Sequence, residues 1–286
     1  MRIVLPPSVA QRATAVAAGT QEAVPIGPAA TVVLVRPADA DIEVYLQRRH
    51  TGLAFAGGMF AFPGGRVDPA DATVPDSAWF GPGSQAWAQR FDADPQAARS
   101  HVVAVVRELF EETGVLLAVS ADGSGAPQAA SASPWPDETD RQAVSDGRPL
   151  AAMLAEYELA IDSGSLVAWS RWVTPRFERR RFDAWFFVAA LPAGQQPRVA
   201  TGESHSERWV RPADGLDEMK AGQLAMLPPT WWTLSELTGV HDVADVHRAA
   251  PPMVRHTVGW AREGDDAVMV LPGDPRYPGD DPKEGT

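Results

Sequence analysis

The beginning of the chain carries a pattern of apolar and polar residues typical of two paired strands. Residues 30–35 form a nearly continuous apolar run, and residues 42–48 alternate apolar and polar side chains. The polar segment 37–41 between them favours a turn. Residues 59–62 predict a third, short strand, which the Pro-Gly-Gly sequence at 63–65 ends.

Residues 95–113 carry the strongest helical pattern in the chain. The apolar side chains that recur at helical spacing on one side are those of Val102, Val103, Val106, Leu109 and Phe110. Gly114 follows at the position where a helix C-terminus favours a left-handed residue. The pattern therefore predicts an amphipathic helix that ends at Thr113.

The remaining segments predict short elements joined by long connections. Residues 66–95 and 120–148 lack a sustained period and favour loops, and we expect residues 1–29 and the tail from residue 272 to pack loosely. The other predicted elements are strands at 166–169, 182–189 and 207–210, and helices at 150–159 and 212–250, the last broken at 228–229. This irregular alternation favours an α+β fold with insertions.

Composition narrows the function classes. The chain has 286 residues and a net charge of −12, which argues against a nucleic-acid-coating protein because such proteins need a cationic surface. It contains no cysteine, which excludes disulfides, zinc–thiolate sites and thiol chemistry. It has neither an apolar run of membrane-spanning length nor a signal-peptide pattern, so we expect a cytoplasmic protein without a membrane partner.

The polar side of the predicted helix is acidic. At about 100° per residue, Glu108, Glu111 and Glu112 share an arc of about 100° opposite the apolar side. Like charges at this spacing destabilise a helix unless a cation lies among them. Mg²⁺ prefers oxygen ligands and is usually held by few carboxylates together with substrate phosphates. The ordinary alternative is a solvated helix face without function.

The sequence around these glutamates decides between the two interpretations. Residues 107–115 read Arg-Glu-Leu-Phe-Glu-Glu-Thr-Gly-Val, and a chance match to this pattern of fixed and aliphatic positions is on the order of 10⁻⁵ for the chain. The segment resembles the second half of the Nudix box. The resemblance implies an α/β/α sandwich with a mixed sheet, and hydrolysis of a nucleoside diphosphate derivative that depends on Mg²⁺ or Mn²⁺.

The first half of the box is interrupted. Arg99 and Ala93 stand where an uninterrupted box has Glu and Gly, whereas Gly65 is followed at the expected distance by Asp71. Thirty-five residues then separate Asp71 from Arg107, against seven in the box, which implies an insertion of 28 residues at about 72–99. Aspartate at position 71 is a second departure from the glutamate of the box.

An interrupted box is a feature of one branch of the superfamily, and other fragments are similar to it. The chain resembles the coenzyme A diphosphatase-like Nudix proteins over residues 30–250, including the segments 45–49, 172–175, 181–189 and 207–210. We therefore expect an N-terminal segment at 1–29, a Nudix domain at 30–250 and a C-terminal extension and tail at 251–286, and a fold that includes inserted loops and a C-terminal helical extension.

The resemblance implies roles for particular residues. Glu108 and Glu112 would be metal ligands, with Glu111 as a further ligand or as the group that orients water. The backbone carbonyl of Gly65 would be another ligand, and Arg107 would orient a neighbouring carboxylate through charge-assisted hydrogen bonds.

The sequence leaves more than one candidate for the general base and for the groups that bind phosphate. Nudix enzymes take the base either from the box helix, where Glu111 lies, or from a later loop, where Glu203 and Glu207 are the candidates. Arg48 and Arg49 follow a strand that is expected to end near the site, and they either bind substrate phosphates or are solvated charges.

Three functions compete at this stage. The first is a metal-dependent diphosphatase acting on a small molecule such as coenzyme A or acyl-coenzyme A. The second is a silent Nudix module that senses a nucleotide, and the third is an RNA-directed, decapping-type hydrolase. The three box glutamates favour the enzyme, and the acidic net charge argues against RNA. A homodimer stays open, since dimers are common in the superfamily.

Overall fold

The computed structural model describes residues 2–39, 41–50, 52, 57–122, 135–198 and 204–277. The helices are α1 (Pro7–Ala17), α2 (Ser84–Phe91), α3 (Pro95–Thr113), α4 (Glu138–Ser145), α5 (Leu150–Glu156), α6 (Pro212–Lys220), α7 (Pro228–Leu237) and α8 (Val246–Ala249). The strands are β1 (Ile26–Ala38), β2 (Asp41–Arg49), β3 (Phe60–Ala61), β4 (Gly64–Arg66), β5 (Trp79–Phe80), β6 (Ala118–Ser120), β7 (Leu159–Asp162), β8 (Leu166–Val173), β9 (Arg181–Ala190), β10 (Ser204–Val210), β11 (Arg255–Thr257), β12 (Gly259–Glu263) and β13 (Asp266–Val270).

The described residues fall into two compact units. One draws on residues 29–169 and 185–253, and the other on residues 1–28, 170–184 and 254–286. Every residue that the box resemblance singles out, where the structure describes it, lies in the first unit.

The first unit is built on a sheet in which the order is β10-β2-β1-β9-β8, with β3 paired to β2 and β4 paired to β1. Strand β1 lies at the centre of this order, and its apolar residues 32–35 have no exposed surface. A continuous apolar run is the pattern expected of a strand covered on both faces. A smaller sheet has the order β5-β7-β6, in which β5 and β7 are parallel and β6 and β7 antiparallel.

Helix α3 has the limits that the sequence predicts. The Asp94 side chain accepts hydrogen bonds from the backbone N–H groups of Gln96 and Ala97, at 3.0 and 2.9 Å, and caps the N-terminus. Gly114 ends the helix with a φ of 73°. The apolar side of α3 packs in one buried cluster with Trp185 and Phe187 of β9, which fixes the direction of its acidic side.

Three segments differ from the predictions. Residues 120–148, predicted as a loop, contain helix α4. Residues 66–95 contain α2, strand β5 and two 3₁₀ turns, because short apolar groups such as Trp87, Ala88 and Phe91 are buried although they are too few to form a period. The predicted helix at 150–159 ends at Glu156, and β7 begins at Leu159. Glu158 between them has a φ of 52°, a left-handed conformation that cannot continue a helix.

The second unit is also more ordered than we expected for its N-terminal part. Leu5 and Ala13 of the N-terminal segment are buried in a cluster with Phe177 and Ala267. Strands β12 and β13 form an antiparallel hairpin, and β11 pairs in parallel with the end of β8. Strand β2 pairs antiparallel with both β1 and β10, so parallel and antiparallel pairings both occur and the strand pairing is mixed.

None of the described helices has both the length and the apolar character needed to cross a bilayer.

Candidate active site

The site is organised around the guanidinium group of Arg107, which α3 presents to the end of β4 and the 3₁₀ turn that follows it. Its Nε and Nη2 donate to the two carboxylate oxygens of Asp71 at 2.9 and 3.0 Å, and Nη2 also donates to the carbonyl of Arg66 at 2.8 Å. Its Nη1 donates to Glu108 at 2.9 Å and to Glu111 at 3.0 Å. One side chain therefore connects the acidic side of the helix to the segment 66–71.

Asp71 is held in place by a 3₁₀ turn at Pro69–Thr73. Its side chain accepts a hydrogen bond from the backbone N–H of Asp68 at 2.7 Å, and its exposed surface is 1%. The pairing with Arg107 is bidentate, the geometry in which a guanidinium binds a carboxylate most strongly. Asp71 and Arg107 are therefore in direct contact although 35 residues separate them.

Glu108 lies directly against the backbone of Gly65. A Cβ atom added at Gly65 would lie 2.5 Å from both carboxylate oxygens of Glu108, which is closer than real Cβ contacts. Only glycine at this position leaves the carboxylate where it is. The neighbouring Gly64 has a φ of 152°, and a Cβ atom there would collide with the carbonyl oxygen of Ala30.

Glu112 lies one helical turn after Glu108 and reaches the same glycine pair. Its Oε2 atom accepts a hydrogen bond from the backbone N–H of Gly64 at 3.0 Å and another from the side-chain amide of Gln47. Glu108 and Glu111 thus share Arg107 as a partner, whereas Glu112 is bound by Gly64 and Gln47.

The electrostatics of the site follow from burial. Burial raises the pKa of Glu108 to about 7, and the negative charge of Glu111 adds to this rise while Arg107 opposes it. For Arg107, burial lowers the pKa, but the hydrogen bond to Asp71 and the charges of Glu108, Asp71 and Glu111 outweigh it, so its pKa is raised. The guanidinium stays charged, whereas the Glu108 carboxylate is poorly stabilised as an anion.

The donor set fits a hard divalent cation in its chemistry. It offers carboxylate oxygens and the backbone of Gly65, and burial keeps the pKa of Glu108 raised although Arg107 lowers it. Among the described residues no group of three or more His, Cys, Asp or Glu side chains is gathered closely enough to hold a metal ion. The reason is visible here, since Arg107 draws Glu108 and Glu111 while Gln47 and Gly64 draw Glu112.

The other predicted residues lie on or after β2 and β10. Arg48 and Arg49 end β2, and their side chains point to opposite faces because strand residues alternate. The Arg48 Nε donates to the carbonyl of Gly58 at 3.1 Å. Glu207 lies on β10 directly opposite Gln47, and Glu203 lies outside the described residues.

Comparisons with known proteins identify one family. The sequence model described as the NUDT19 Nudix domain matches residues 89–237, just over half of the chain. The crystal structure of a Nudix hydrolase from Alicyclobacillus acidocaldarius superposes with a TM-score of 0.67 and 30% identity, over 79% of this chain and 96% of that one. The chain belongs to the Nudix hydrolases.

Two curated relatives carry a more specific name. Proteins named acyl-coenzyme A diphosphatase NUDT19 from Xenopus laevis and Gallus gallus are 27% and 26% identical to the chain. The alignments cover 84% and 92% of this chain, and 73% and 77% of the relatives. These findings confirm the predicted superfamily, its coenzyme A diphosphatase-like branch, the α+β fold and the enzyme class, a Nudix hydrolase.

Sequence reasoning missed three residues of this Nudix site. It left the role of Asp71 in doubt, and it assigned none to Tyr45 or Gln47. The period-2 alternation of β2 was the available signal, because it places Tyr45, Gln47 and Arg49 on one face. That signal did not show that this face meets Glu112 and Glu207.

The glycine pair of the Nudix site provides a matched test. We expect Gly65→Ala to displace the Glu108 carboxylate and weaken Mn²⁺ binding by about tenfold, with little loss of stability because the clashing group is a side chain. Gly64→Ala should instead destabilise the fold by about 1–3 kcal/mol, since φ is positive and the clash is with backbone. Calorimetric Mn²⁺ titration and urea unfolding measure the two effects, and equal losses of stability would contradict the assignment.

The Asp71–Arg107 pair gives a second prediction. Asp71→Ala leaves the buried guanidinium without its bidentate partner, and we expect it to lower the free energy of unfolding by about 3–5 kcal/mol. The control is Asp217→Ala, which removes the exposed partner of Lys220 and should change it by less than about 1 kcal/mol. Urea denaturation compares the two, and similar small changes would show that the pair does not hold the site together.

Proposed function

We propose that this protein is a divalent-metal-dependent diphosphatase that hydrolyses the diphosphate linkage of a nucleoside diphosphate derivative, with coenzyme A or an acyl-coenzyme A as substrate. The observation that carries the proposal is the buried Arg107, which fixes Glu108 and Glu111 beside Glu112, and Glu112 in turn contacts the start of β4 at Gly64. A sensing module would have no need to keep three buried or half-buried carboxylates against their mutual repulsion.

The metal site would be formed by the glutamates of α3 and the glycine turn. Glu108, Glu111, Glu112 and the carbonyl of Gly65 would hold Mg²⁺ or Mn²⁺, which would neutralise the diphosphate charge and lower the pKa of the attacking water. Arg107 keeps two of these carboxylates at a fixed distance from each other through its Nη1.

The reaction is the attack of water on one phosphorus of the diphosphate. The water oxygen forms the new bond, the bridging oxygen leaves with the other phosphate, and the water proton passes to a carboxylate base. Glu207 is our choice for this base, because it lies directly opposite Gln47, whose amide binds Glu112. Glu203 and Glu111 are the other predicted candidates.

Binding of the anionic substrate is assigned to Arg49. It shares the face of β2 that carries Gln47, and its Nε is buried without a hydrogen-bond partner among the residues that the structure describes. A buried donor without an acceptor destabilises the protein, because it has lost its hydrogen bonds to water. A phosphate oxygen of the substrate would supply the acceptor. Arg48, on the opposite face, is the weaker candidate.

The choice of coenzyme A rests on the two relatives named acyl-coenzyme A diphosphatase, which align with most of the chain. A small-molecule substrate also agrees with the net charge of −12, since an extended polyanion such as RNA would be repelled by the whole surface.

The test of the reaction is a substrate screen with a matched variant. Coenzyme A, an acyl-coenzyme A, ADP-ribose, NADH, a dinucleoside polyphosphate and capped RNA are incubated with Mg²⁺ or Mn²⁺, and products are resolved by mass spectrometry. We expect 4′-phosphopantetheine from coenzyme A, and a loss of about two orders of magnitude in turnover for Glu112→Gln. Cleavage of ADP-ribose alone would overturn the substrate, and equal turnover of the variant would remove Glu112 from the site.

The two arginines of β2 provide a separate prediction. Arg49→Gln should raise the KM for the substrate by about tenfold with a smaller change in kcat, because a charge-assisted hydrogen bond to phosphate is lost. Arg48→Gln, its neighbour on the opposite face, should change the KM by less than about twofold. Steady-state kinetics with the substrate from the screen decide, and the reverse order would move the phosphate contact to Arg48.

A further inference from the structure

We infer that Gln47 and Tyr45 are positioning residues, which hold Glu112 of the box helix and Glu207 of the edge strand on the same face of the sheet. The inference deepens the proposed function and rests on it for the role of Glu207. The supporting observations are the register of two strands and two hydrogen bonds.

The register places the four side chains together. Tyr45 and Gln47 are two residues apart on β2, so they point to the same face. On the antiparallel neighbour β10, Glu207 pairs with Gln47 and Trp209 pairs with Tyr45. Residues directly opposite each other in an antiparallel pair share a face, with Cβ atoms about 5 Å apart.

A β-bulge sets this register. The pairing shifts between Ser204 and Ser206, where one additional residue of β10 is accommodated beside Arg48 and Arg49. Without the shift, Glu207 would lie opposite Leu46 and would point away from α3. Bulges often redirect a side chain next to a functional site.

Gln47 connects this face to the box helix. Its exposed surface is 6%, and its side-chain amide donates to the Oε2 atom of Glu112. Together with the backbone N–H of Gly64, it gives that oxygen two donors from different strands. Glu112 therefore has its carboxylate fixed by the sheet and not only by its own helix.

Tyr45 does the same for Glu207. Tyr45 is fully buried, and its hydroxyl donates to the Oε2 atom of Glu207 at 2.7 Å. The Tyr45 ring is itself fixed by an edge contact with Trp209, at 5.3 Å between ring centroids. Glu207 is exposed, and an exposed glutamate side chain is otherwise free to rotate. The hydrogen bond to Tyr45 restricts that rotation before any reaction takes place.

The phenol stays a donor because it stays protonated. Burial raises the pKa of Tyr45, and the hydrogen bond to Glu207 and the negative charges of Glu207 and Glu112 raise it further. The hydrogen bonds of Tyr45 to Glu207 and of Gln47 to Glu112 place the two carboxylates on the face of β2 that carries this phenol. The pair on β2 thus sets the distance between a metal-binding carboxylate and the proposed base.

The experiment uses two variants of the full chain that remove one hydrogen bond each. Gln47→Met keeps the length and loses the amide, and we expect a Mn²⁺ affinity weaker by about tenfold in a titration followed by electron paramagnetic resonance. Tyr45→Phe loses only the hydroxyl. It should leave Mn²⁺ affinity within about twofold but lower kcat by about tenfold, with KM for the diphosphate unchanged.

A double-mutant cycle separates positioning from general structure. In the Glu207→Gln background the added Tyr45→Phe change should have no further effect on kcat, because the group it positions no longer accepts a proton. Tyr157→Phe, which removes a phenol bound to Asp140, is the control and should change neither kcat nor Mn²⁺ affinity. Thermal unfolding verifies that each variant is folded, and Gln47→Asn replaces Gln47→Met if the latter is not.

The outcomes are distinct. A wild-type kcat for Tyr45→Phe, equal losses in both backgrounds, or an unchanged Mn²⁺ affinity for the Gln47 variant would overturn the inference. If the wild-type protein cleaves none of the diphosphates, the proposed function fails and the Tyr45 half fails with it. The Mn²⁺ titration then still decides the Gln47 half.

Discussion

The structure of the site depends on how a single buried guanidinium obtains its hydrogen bonds. Arg107 is 7% exposed, and a cation at that depth is stable only when its N–H groups are matched by acceptors. The acceptors come from a 3₁₀ turn, a strand end and the helix itself, namely Asp71, the Arg66 carbonyl, Glu108 and Glu111. Satisfying this one group therefore brings three separate segments to one place.

The same interaction explains how the two parts of the Nudix box come together in space although the sequence between them is interrupted. The chain leaves the site after Asp71 and returns at Arg107, and the bidentate pair joins the two ends of this excursion. Loop-closure entropy grows only slowly with length, so an insertion costs little if its ends are fixed. The inserted residues also offset part of that entropy cost, since Trp87 and Phe91 of α2 pack in the core with α3.

The sequence predicts the parts of the site that depend on local periodicity. It does not predict the parts that depend on contacts between residues far apart in the chain. Helix α3 lies where the sequence predicts it, at about residues 95–113, because an apolar period and a terminal glycine agree within nineteen residues. The role of Asp71 depends on a partner 36 positions away, and the roles of Tyr45 and Gln47 depend on the bulge in β10. Short elements such as β5 and β11 carry too few residues to show a period.

The charge balance of the site argues for the metal independently of the family resemblance. Asp71, Glu108 and Glu111 all pair with one guanidinium, so three carboxylates share a single positive charge when all are ionised. Burial raises the pKa of Glu108, and the negative charge of Glu111 adds to this rise. A diphosphate would add further negative charge, which Arg49 on the same face of β2 would offset in part. A divalent ion of the kind proposed would offset the rest, since its charge inverts the local electrostatics of a carboxylate cluster.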